Sequence, residues 1–228
     1  MDSRAVPVPN QSLKGETTTE EPGRAGGVVA RRSAEIRATV PDLELSTEAD
    51  ADRLLDRATR EEVTTTAVLV SACAAALHEF PRVNGAYRDA RYEMYARVNV
   101  GILIPFEDSQ PTATILDAGA RSLRELDDEL TRLSARARSG ELTPPEQAGA
   151  TFTFSDLGQL GVHRAAGLVP PSQAAMLTAG AIRDVAVVRD GAVLPGHQLT
   201  LTLTSDHRIV YGAQAAAFLG RVVELVQT

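Results

Sequence analysis

Apolar and polar positions alternate most regularly near the C-terminus. From residue 199 to 204, leucines alternate with threonines, which predicts a strand with leucines on one face and threonines on the other. The strand leads into "SDHRIVYG", and the small apolar residues that follow predict a closing helix over about residues 213–226. His207 is therefore predicted to lie in a turn between a strand and a helix.

Helical periodicity dominates the first part of the chain. The stretches "VVARRSAEIRATV", "TTTAVLVSACAAALHEF" and "ILDAGARSLRELDDELTRLSARARSG" predict helices that end before Pro41, Pro81 and Gly140, respectively. The stretch "DLELSTEADADRLLDRA" begins as an alternating strand and continues as a helix, for which Ser46 or Thr47 is the predicted N-cap.

Strand-like segments follow in the second part. "ARYEMYARVNVGILIPFED" predicts two short strands, and "GATFTFSDLG", "QAAMLTAGAIRDVAVVRDGAVL" and "HQLTLTLTSDHR" predict three or four more, separated by Gly and Pro turns. Because helices come early and strands late, the order predicts an α+β domain in which helices pack on one face of a mixed β-sheet.

The first 27 residues differ in composition from the rest. Residues 1–27 are rich in Pro, Gly, Thr and Glu, and they bury too little apolar surface to offset the entropy of ordering. We therefore expect a flexible tail over residues 1–27 and one folded domain over residues 28–228. No apolar stretch approaches the roughly 18 residues of a membrane span, and no signal-peptide pattern opens the chain, so a cytoplasmic protein is expected.

Charge and cysteine content exclude several classes of function. The formal net charge of −7 disfavours nucleic acid or an anionic membrane as a partner. Cys73 is the one cysteine, which excludes a disulfide framework and a cysteine-based zinc site, and its apolar surroundings predict a buried thiol. No Gly-rich phosphate loop follows a predicted strand, and we expect no metal, flavin, nicotinamide or pyridoxal phosphate.

Two residues at strand ends are candidates for catalysis. A histidine in a turn, such as His207, can act as a general base near neutral pH, although a structural, hydrogen-bonded histidine is the commoner case. Ser155 ends the predicted strand "TFTFS", where its hydroxyl could donate a hydrogen bond to a developing oxyanion. The residues alone favour a simple Ser-Asp turn at Ser155. The other histidines, in helix-end or turn-like stretches, are interpreted as structural or surface residues; they are His78, His163 and His197.

Three segments carry a family resemblance. In order and spacing, "SARARSGELTPPEQAGATFTFSDLGQLGV", "PPSQAAMLTAGAIRD" and "LTLTSDHRIVYGAQAAAFL" resemble the catalytic domain of the dihydrolipoamide acyltransferase (E2) component of 2-oxo acid dehydrogenase complexes. Weaker similarity extends back to about Val28. The resemblance implies the two-layer sandwich of chloramphenicol acetyltransferase. It also implies CoA-dependent acyl transfer without a covalent enzyme intermediate, with acetyl-CoA as donor and no permanently bound cofactor.

The resemblance also assigns roles to residues. His207 matches the catalytic base of the family's His-x-x-x-Asp-Gly motif, and Ser155 matches the serine that binds the tetrahedral oxyanion. In the family the site lies between subunits of a trimer, so His207 and Ser155 are expected to come from different chains. CoA and the acceptor then enter a channel from opposite ends.

The chain departs from the family pattern beside both residues. Tyr211 replaces the motif aspartate, and we expect it to brace the turn through its hydroxyl or to line the acceptor end of the pocket. Gly212 is retained, and we expect it to let the chain turn sharply into the last helix. Asp156 replaces an asparagine, which gives Ser155 a more acidic neighbour.

Three functions remain open after this comparison. No lipoyl domain, subunit-binding domain or Ala-Pro linker is evident, and "VVELVQT" lacks an apolar anchor, so a free-standing homotrimer is expected. The favoured reading is acetylation of a hydroxyl on a small or carrier-protein-bound metabolite, as in the similar stand-alone acetyltransferases of tetronate polyketide pathways. The alternatives are an E2-type acyltransferase acting on a dihydrolipoyl group of another chain, and an inactive trimeric scaffold.

Overall fold

The computed structural model describes residue 15 and residues 19–105 and 110–228. Within these residues the helices are α1 (Arg24–Thr39), α2 (Asp52–Glu61), α3 (Thr65–Glu79), α4 (Leu123–Arg138) and α5 (Gly212–Val226). The strands are β1 (Asp42–Asp50), β2 (Gly85–Arg88), β3 (Arg91–Met94), β4 (Val100–Leu103), β5 (Thr112–Ile115), β6 (Phe152–Asp156), β7 (Ala175–Ala179), β8 (Arg183–Arg189) and β9 (Ala192–Asp206). None of these helices is both long and apolar enough to cross a membrane.

One mixed sheet organises the domain. Its hydrogen-bonded order is β1-β9-β7-β6-β4-β5, with β8 paired to the first half of β9. Strands β4, β6 and β7 are parallel to one another, whereas β5, β9 and β1 are antiparallel to their neighbours. Strands β2 and β3 form a separate two-stranded hairpin. The α+β class and the mixed sheet are confirmed.

The alternation in β9 sets the two faces of the sheet. Leu199, Leu201 and Leu203 are buried in the main core, together with residues of α2, α3, α4 and α5. The threonines between them face the other side, as predicted, and they are buried there too. Helix α1 is the exception among the helices, because Ile36 packs into a small second cluster that contains Met176 of β7. Met176 lies opposite Thr204 in the ladder and so belongs to the threonine face.

Two predicted boundaries differ from the structure. Ser46 and Thr47 do not cap α2, because the pairing of β1 with β9 continues as far as Asp50. The Asp50 carboxylate instead accepts a hydrogen bond from the backbone N–H of Asp52, at 2.9 Å. Helix α1 begins at Arg24, so residues 24–27 are helical rather than part of the predicted tail. Residues 1–14 and 16–18 lie outside the described residues, and the tail prediction there is untested.

Helix α3 forms the centre of the core. Thr64 caps it by accepting a hydrogen bond from the backbone N–H of Ala67. Nine of its fifteen residues are buried, which leaves it almost no polar face. Cys73 is among them, and burial raises the pKa of its thiol well above the usual value. The sequence prediction of a buried core thiol agrees with this environment.

Candidate active site

His207 occupies the predicted turn between β9 and α5. Its backbone N–H donates to the carbonyl of Pro41 at 2.9 Å, and the N–H of Val210 donates to the carbonyl of Asp206 at 3.0 Å. These bonds fix the backbone while the imidazole is exposed. The side chain finds no hydrogen-bond partner among the residues that the structure describes. The geometry suits a side chain that meets a ligand from solvent.

An ion pair holds the residues on either side of His207. The buried Asp206 carboxylate accepts hydrogen bonds from Arg208 Nε at 2.9 Å and Arg208 Nη2 at 2.7 Å. The Asp206 carboxylate also raises the pKa of the Arg208 guanidinium. The Arg208 guanidinium carbon lies 4.7 Å from the centre of the Tyr87 ring, a cation–π contact with strand β2. No sequence pattern marked this pair, although both charges directly flank His207.

Tyr211 lies beside the histidine and reaches a second tyrosine. The rings of His207 and Tyr211 are edge to face, with centroids 5.8 Å apart. The Tyr211 hydroxyl is 2.9 Å from the hydroxyl of Tyr92 in β3. That hydrogen bond is the largest cause of the raised pKa of Tyr211. The Tyr211 hydroxyl thus connects the turn to the β2–β3 hairpin. Tyr92 could not be identified from the sequence, because no motif near it indicates a contact with Tyr211.

The conformation of Gly212 does not require a glycine, although a sharp turn that needs one was predicted here. It is the first residue of α5, and its φ angle is outside the left-handed region that favours glycine. A Cβ atom added there would meet no atom of the described chain within 4 Å. The backbone prediction for Gly212 is therefore wrong, since any L-residue could adopt this conformation.

Ser155 lies near the end of β6 on the threonine face. Its side chain is buried, and the cross-strand register places it beside Thr178 of β7, which in turn faces Thr202 of β9. No hydrogen bond from the Ser155 hydroxyl to another described residue is found. A buried hydroxyl of this kind is available to donate to a ligand oxygen.

Asp156 points to the opposite face from Ser155, because successive strand residues alternate. Its carboxylate accepts a hydrogen bond from the Thr66 hydroxyl at 2.7 Å and another from the backbone N–H of Gly158 at 3.0 Å. Asp156 therefore ties the loop after β6 to the first turn of α3. It supports the site through the backbone rather than as a charged neighbour of the serine hydroxyl.

The two candidate catalytic residues do not meet within one protomer. Ser155 is in register with Thr178, and Thr178 with Thr202, whereas His207 lies five residues further along β9. Because β9 runs antiparallel to β6 and β7, the serine and the histidine are near opposite ends of the sheet. Strand geometry separates them by about 16 Å along the strands and about 10 Å across them. A single acyl group cannot contact both side chains of one chain.

The remaining histidines have structural surroundings where contacts are found. His197 Nδ1 lies 2.6 Å from Asp52 Oδ1, and its Nε2 lies 3.3 Å from Asp184 Oδ1. The hydrogen bond to Asp52 is the main cause of the raised pKa of His197. Across residues 19–105 and 110–228 there is no group of three or more side chains suited to holding a metal ion.

Comparison with known proteins agrees with this fold. A dihydrolipoyllysine-residue acetyltransferase component of the pyruvate dehydrogenase complex from Rickettsia prowazekii is 29% identical over 210 residues, which are 88% of this chain and 52% of that protein. The chain thus spans about half the length of the curated relatives it matches. Chloramphenicol acetyltransferase, at 16% identity, 86% and 94% coverage and a TM-score of 0.59, shares the fold.

A solved structure adds information about the site. The dihydrolipoamide acetyltransferase of Azotobacter vinelandii is 26% identical, with a TM-score of 0.88 over 98% of this chain and 96% of that one. Its study concerns the catalytic roles of a serine, a histidine 52 positions later and an asparagine four positions beyond the histidine. Ser155, His207 and Tyr211 have the same spacing here.

The family match extends over nearly the whole chain. Residues 16–228 match the family described as 2-oxoacid dehydrogenases acyltransferase (catalytic domain). This range includes every element of the sheet and both candidate catalytic residues. The chain therefore belongs to the 2-oxoacid dehydrogenase acyltransferase family and corresponds to its catalytic domain.

Proposed function

We propose that this protein is a CoA-dependent acyltransferase of the E2 type, which moves an acetyl group between CoA and a thiol of a dihydrolipoyl group. The observation that carries the proposal is the shared spacing of Ser155, His207 and the residue four positions later with the catalytic residues studied in the Azotobacter enzyme. The exposed imidazole of His207 suits a general base. The buried hydroxyl of Ser155, which has no hydrogen-bond partner among the described residues, suits an oxyanion donor.

The reaction requires one base and one oxyanion donor. The His207 imidazole takes the proton from the acceptor thiol as its sulfur attacks the thioester carbonyl carbon. The tetrahedral intermediate carries a negative oxygen, which accepts a hydrogen bond from the Ser155 hydroxyl. Collapse breaks the bond to the CoA sulfur, and the imidazolium returns the proton to that leaving thiolate. The acetyl group is transferred directly, and no bond to the enzyme forms.

The two side chains must come from neighbouring subunits. Ser155 and His207 lie near opposite ends of the sheet, so a complete site needs the serine end of one chain against the histidine end of another. We propose a homotrimer, in which each of three equivalent interfaces forms one site and the ring closes. Acetyl-CoA and the acceptor then approach the interface from its two sides.

The acceptor differs from the one favoured by the sequence alone. The curated relatives reported above are dihydrolipoyllysine-residue acetyltransferases, which support a dihydrolipoyl thiol over a metabolite hydroxyl. The relatives reported above give no support to a polyketide or tetronate pathway. Near the histidine, this chain differs from the Azotobacter enzyme at Tyr211, which stands where that enzyme has an asparagine. The proposed reaction with a thiol does not depend on this difference, because no step uses residue 211 to transfer a proton.

Acetyl transfer to free dihydrolipoamide tests the proposal. We expect the protein to form S-acetyldihydrolipoamide and free CoA from acetyl-CoA, and His207→Ala to reduce kcat by about 10²–10⁴-fold with little change in acetyl-CoA affinity. His163→Ala is the matched control, and it should retain full turnover. Normal turnover by His207→Ala would refute the mechanism. Acetylation of alcohols but not of dihydrolipoamide would refute the proposed acceptor and favour a metabolite hydroxyl instead. Absence of transfer to either kind of acceptor would refute the proposed activity and favour the inactive trimeric scaffold.

A further inference from the structure

The turn that carries His207, residues 207–211, is attached to the β2–β3 hairpin at two points. On one side, the Arg208 guanidinium, held by Asp206, covers the ring of Tyr87. On the other, the Tyr211 hydroxyl is hydrogen-bonded to the Tyr92 hydroxyl. The two attachments are made by the residues one and four positions after the histidine, and the hairpin takes part in both.

The hairpin presents its two tyrosines as a unit. Tyr87 and Tyr92 are direct partners in the β2–β3 ladder, and their ring centroids are 6.2 Å apart. The Arg82 guanidinium carbon lies 4.9 Å from the centre of the Tyr92 ring. Tyr92 is therefore held by its strand partner and by a cation, which leaves its hydroxyl in a fixed place for Tyr211.

The histidine lacks any such restraint of its own. Its ring is exposed and has no hydrogen-bond partner among the described residues, so its rotamers are restrained mainly by the edge-to-face contact with Tyr211. A general base must keep its nitrogen within about 3 Å of the proton it removes. The position of the Tyr211 ring therefore affects how often the imidazole is aligned for catalysis.

We propose that Tyr92 is a positioning residue for the catalytic histidine. Its hydroxyl fixes Tyr211, and the Tyr211 ring in turn orients the His207 imidazole. Tyr211 stands four positions after the histidine, where the Azotobacter enzyme has an asparagine. In this role Tyr92 acts on the histidine through Tyr211 and takes no part in the chemical step. The inference rests on the proposed role of His207 as the base.

Kinetics of phenylalanine variants test the contact. We expect Tyr92→Phe to lower kcat for dihydrolipoamide by about 3- to 10-fold with an unchanged KM for acetyl-CoA, because one hydrogen bond is lost without loss of a ring. Tyr95→Phe is the matched control: its hydroxyl donates to the carbonyl of Ser172 at 2.9 Å, away from this contact. An equal loss in Tyr95→Phe would overturn the proposal, since it would indicate general loosening.

A double-mutant cycle tests whether the two hydroxyls act together. Tyr211→Phe should resemble Tyr92→Phe, and the double variant should be no slower than either single one, because each change removes the same bond. In a Tyr211→Asn background, Tyr92→Phe should have no further effect. Losses that multiply in the double variant, or that persist in the Tyr211→Asn background, would contradict the proposal.

The ring-proton NMR signals of His207 give a result that does not depend on turnover. Assigned by their absence in His207→Gln, they should move toward the values of free histidine in Tyr92→Phe but not in Tyr95→Phe, because a Tyr211 ring that is no longer held beside the imidazole shifts these signals less. Unchanged signals in Tyr92→Phe would overturn the positioning role even if the enzyme is active. Shifted signals in a protein without transfer activity would support the contact while refuting the proposed function.

Discussion

At the residue scale, the proposed chemistry uses two side chains in opposite environments. His207 is exposed in a turn, where it can exchange protons with a bound thiol. Ser155 is buried at the end of a strand, where a hydrogen bond to an oxyanion is strengthened by the low local dielectric. The acidic neighbours of both residues have structural roles. Asp206 forms an ion pair with Arg208, and Asp156 accepts a hydrogen bond from the loop that follows β6.

Ser155→Ala should reduce kcat by about 10²-fold or more, since one oxyanion donor contributes about 3 kcal/mol to transition-state binding. The KM for acetyl-CoA should change little, and steady-state kinetics separate the two constants. Thr204→Val is the control on the same face of the sheet: its hydroxyl is buried without a hydrogen-bond partner among the described residues, so its removal should leave kcat unchanged. Equal rates for Ser155→Ala and the wild type would exclude the oxyanion role.

At the element scale, side-chain contacts fix how the β8–β9 hairpin joins the body of the domain. His197 of β9 is bonded to Asp52 at the start of α2, and Arg189 of β8 contacts both Asp50 and Asp52. The Asp52 carboxylate also accepts a hydrogen bond from the backbone N–H of His197, at 3.1 Å. One aspartate therefore links the first turn of a helix to both strands of the hairpin.

This link predicts a pH-dependent stability. The pKa of His197 is raised, so its contribution is complete below the ordinary histidine value of 6.5 and is lost as pH rises through the raised value. The pKa of Asp52 is lowered, so its contribution is present above 3.8 and is lost as pH falls through the lowered value. The difference in Tm between wild type and His197→Gln should be largest between pH 3.8 and 6.5.

The effect should be small and sensitive to salt, because the pair is partly exposed. Thermal unfolding at several pH values and two salt concentrations measures it. His78→Gln, which changes a histidine on α3, serves as the comparison. A Tm difference for His197→Gln that grows as pH rises above 6.5 would show that the neutral imidazole, and not its protonated form, makes the stabilising contact.

At the scale of the whole molecule, a site shared between chains can be tested by mixing variants. In the proposed homotrimer, His207→Ala and Ser155→Ala should each impair every site. After co-expression in equal amounts, about one interface in four pairs an intact histidine with an intact serine, so about a quarter of wild-type activity should return. Activity no higher than in the separate variants would place each complete site within one chain, and a monomeric mass by light scattering with full activity would exclude the trimer.

Local sequence patterns determined much of this molecule. The alternation of leucine and threonine in β9, the end of α3 before Pro81 and the strand ends near Ser155 and His207 follow from covalent geometry and short-range periodicity, so the sequence predicts them. The family resemblance then assigned roles to the same two residues. The error at Ser46 and Thr47 has the opposite origin, because a ladder with the distant strand β9 extends β1 beyond its local helix signal.

Only the tertiary structure decided which distant segments meet. Strand order placed Ser155 and His207 near opposite ends of one sheet, although both end strands in the sequence. The Tyr92–Tyr211 contact joins residues 119 positions apart, and no local pattern marks it. Such contacts depend on how whole faces are buried together, and their free energy is gained only after the intervening chain has been ordered. Periodicity predicts the structure of a single segment, whereas tertiary packing determines which segments are in contact. The arrangement of the candidate site depends on that packing.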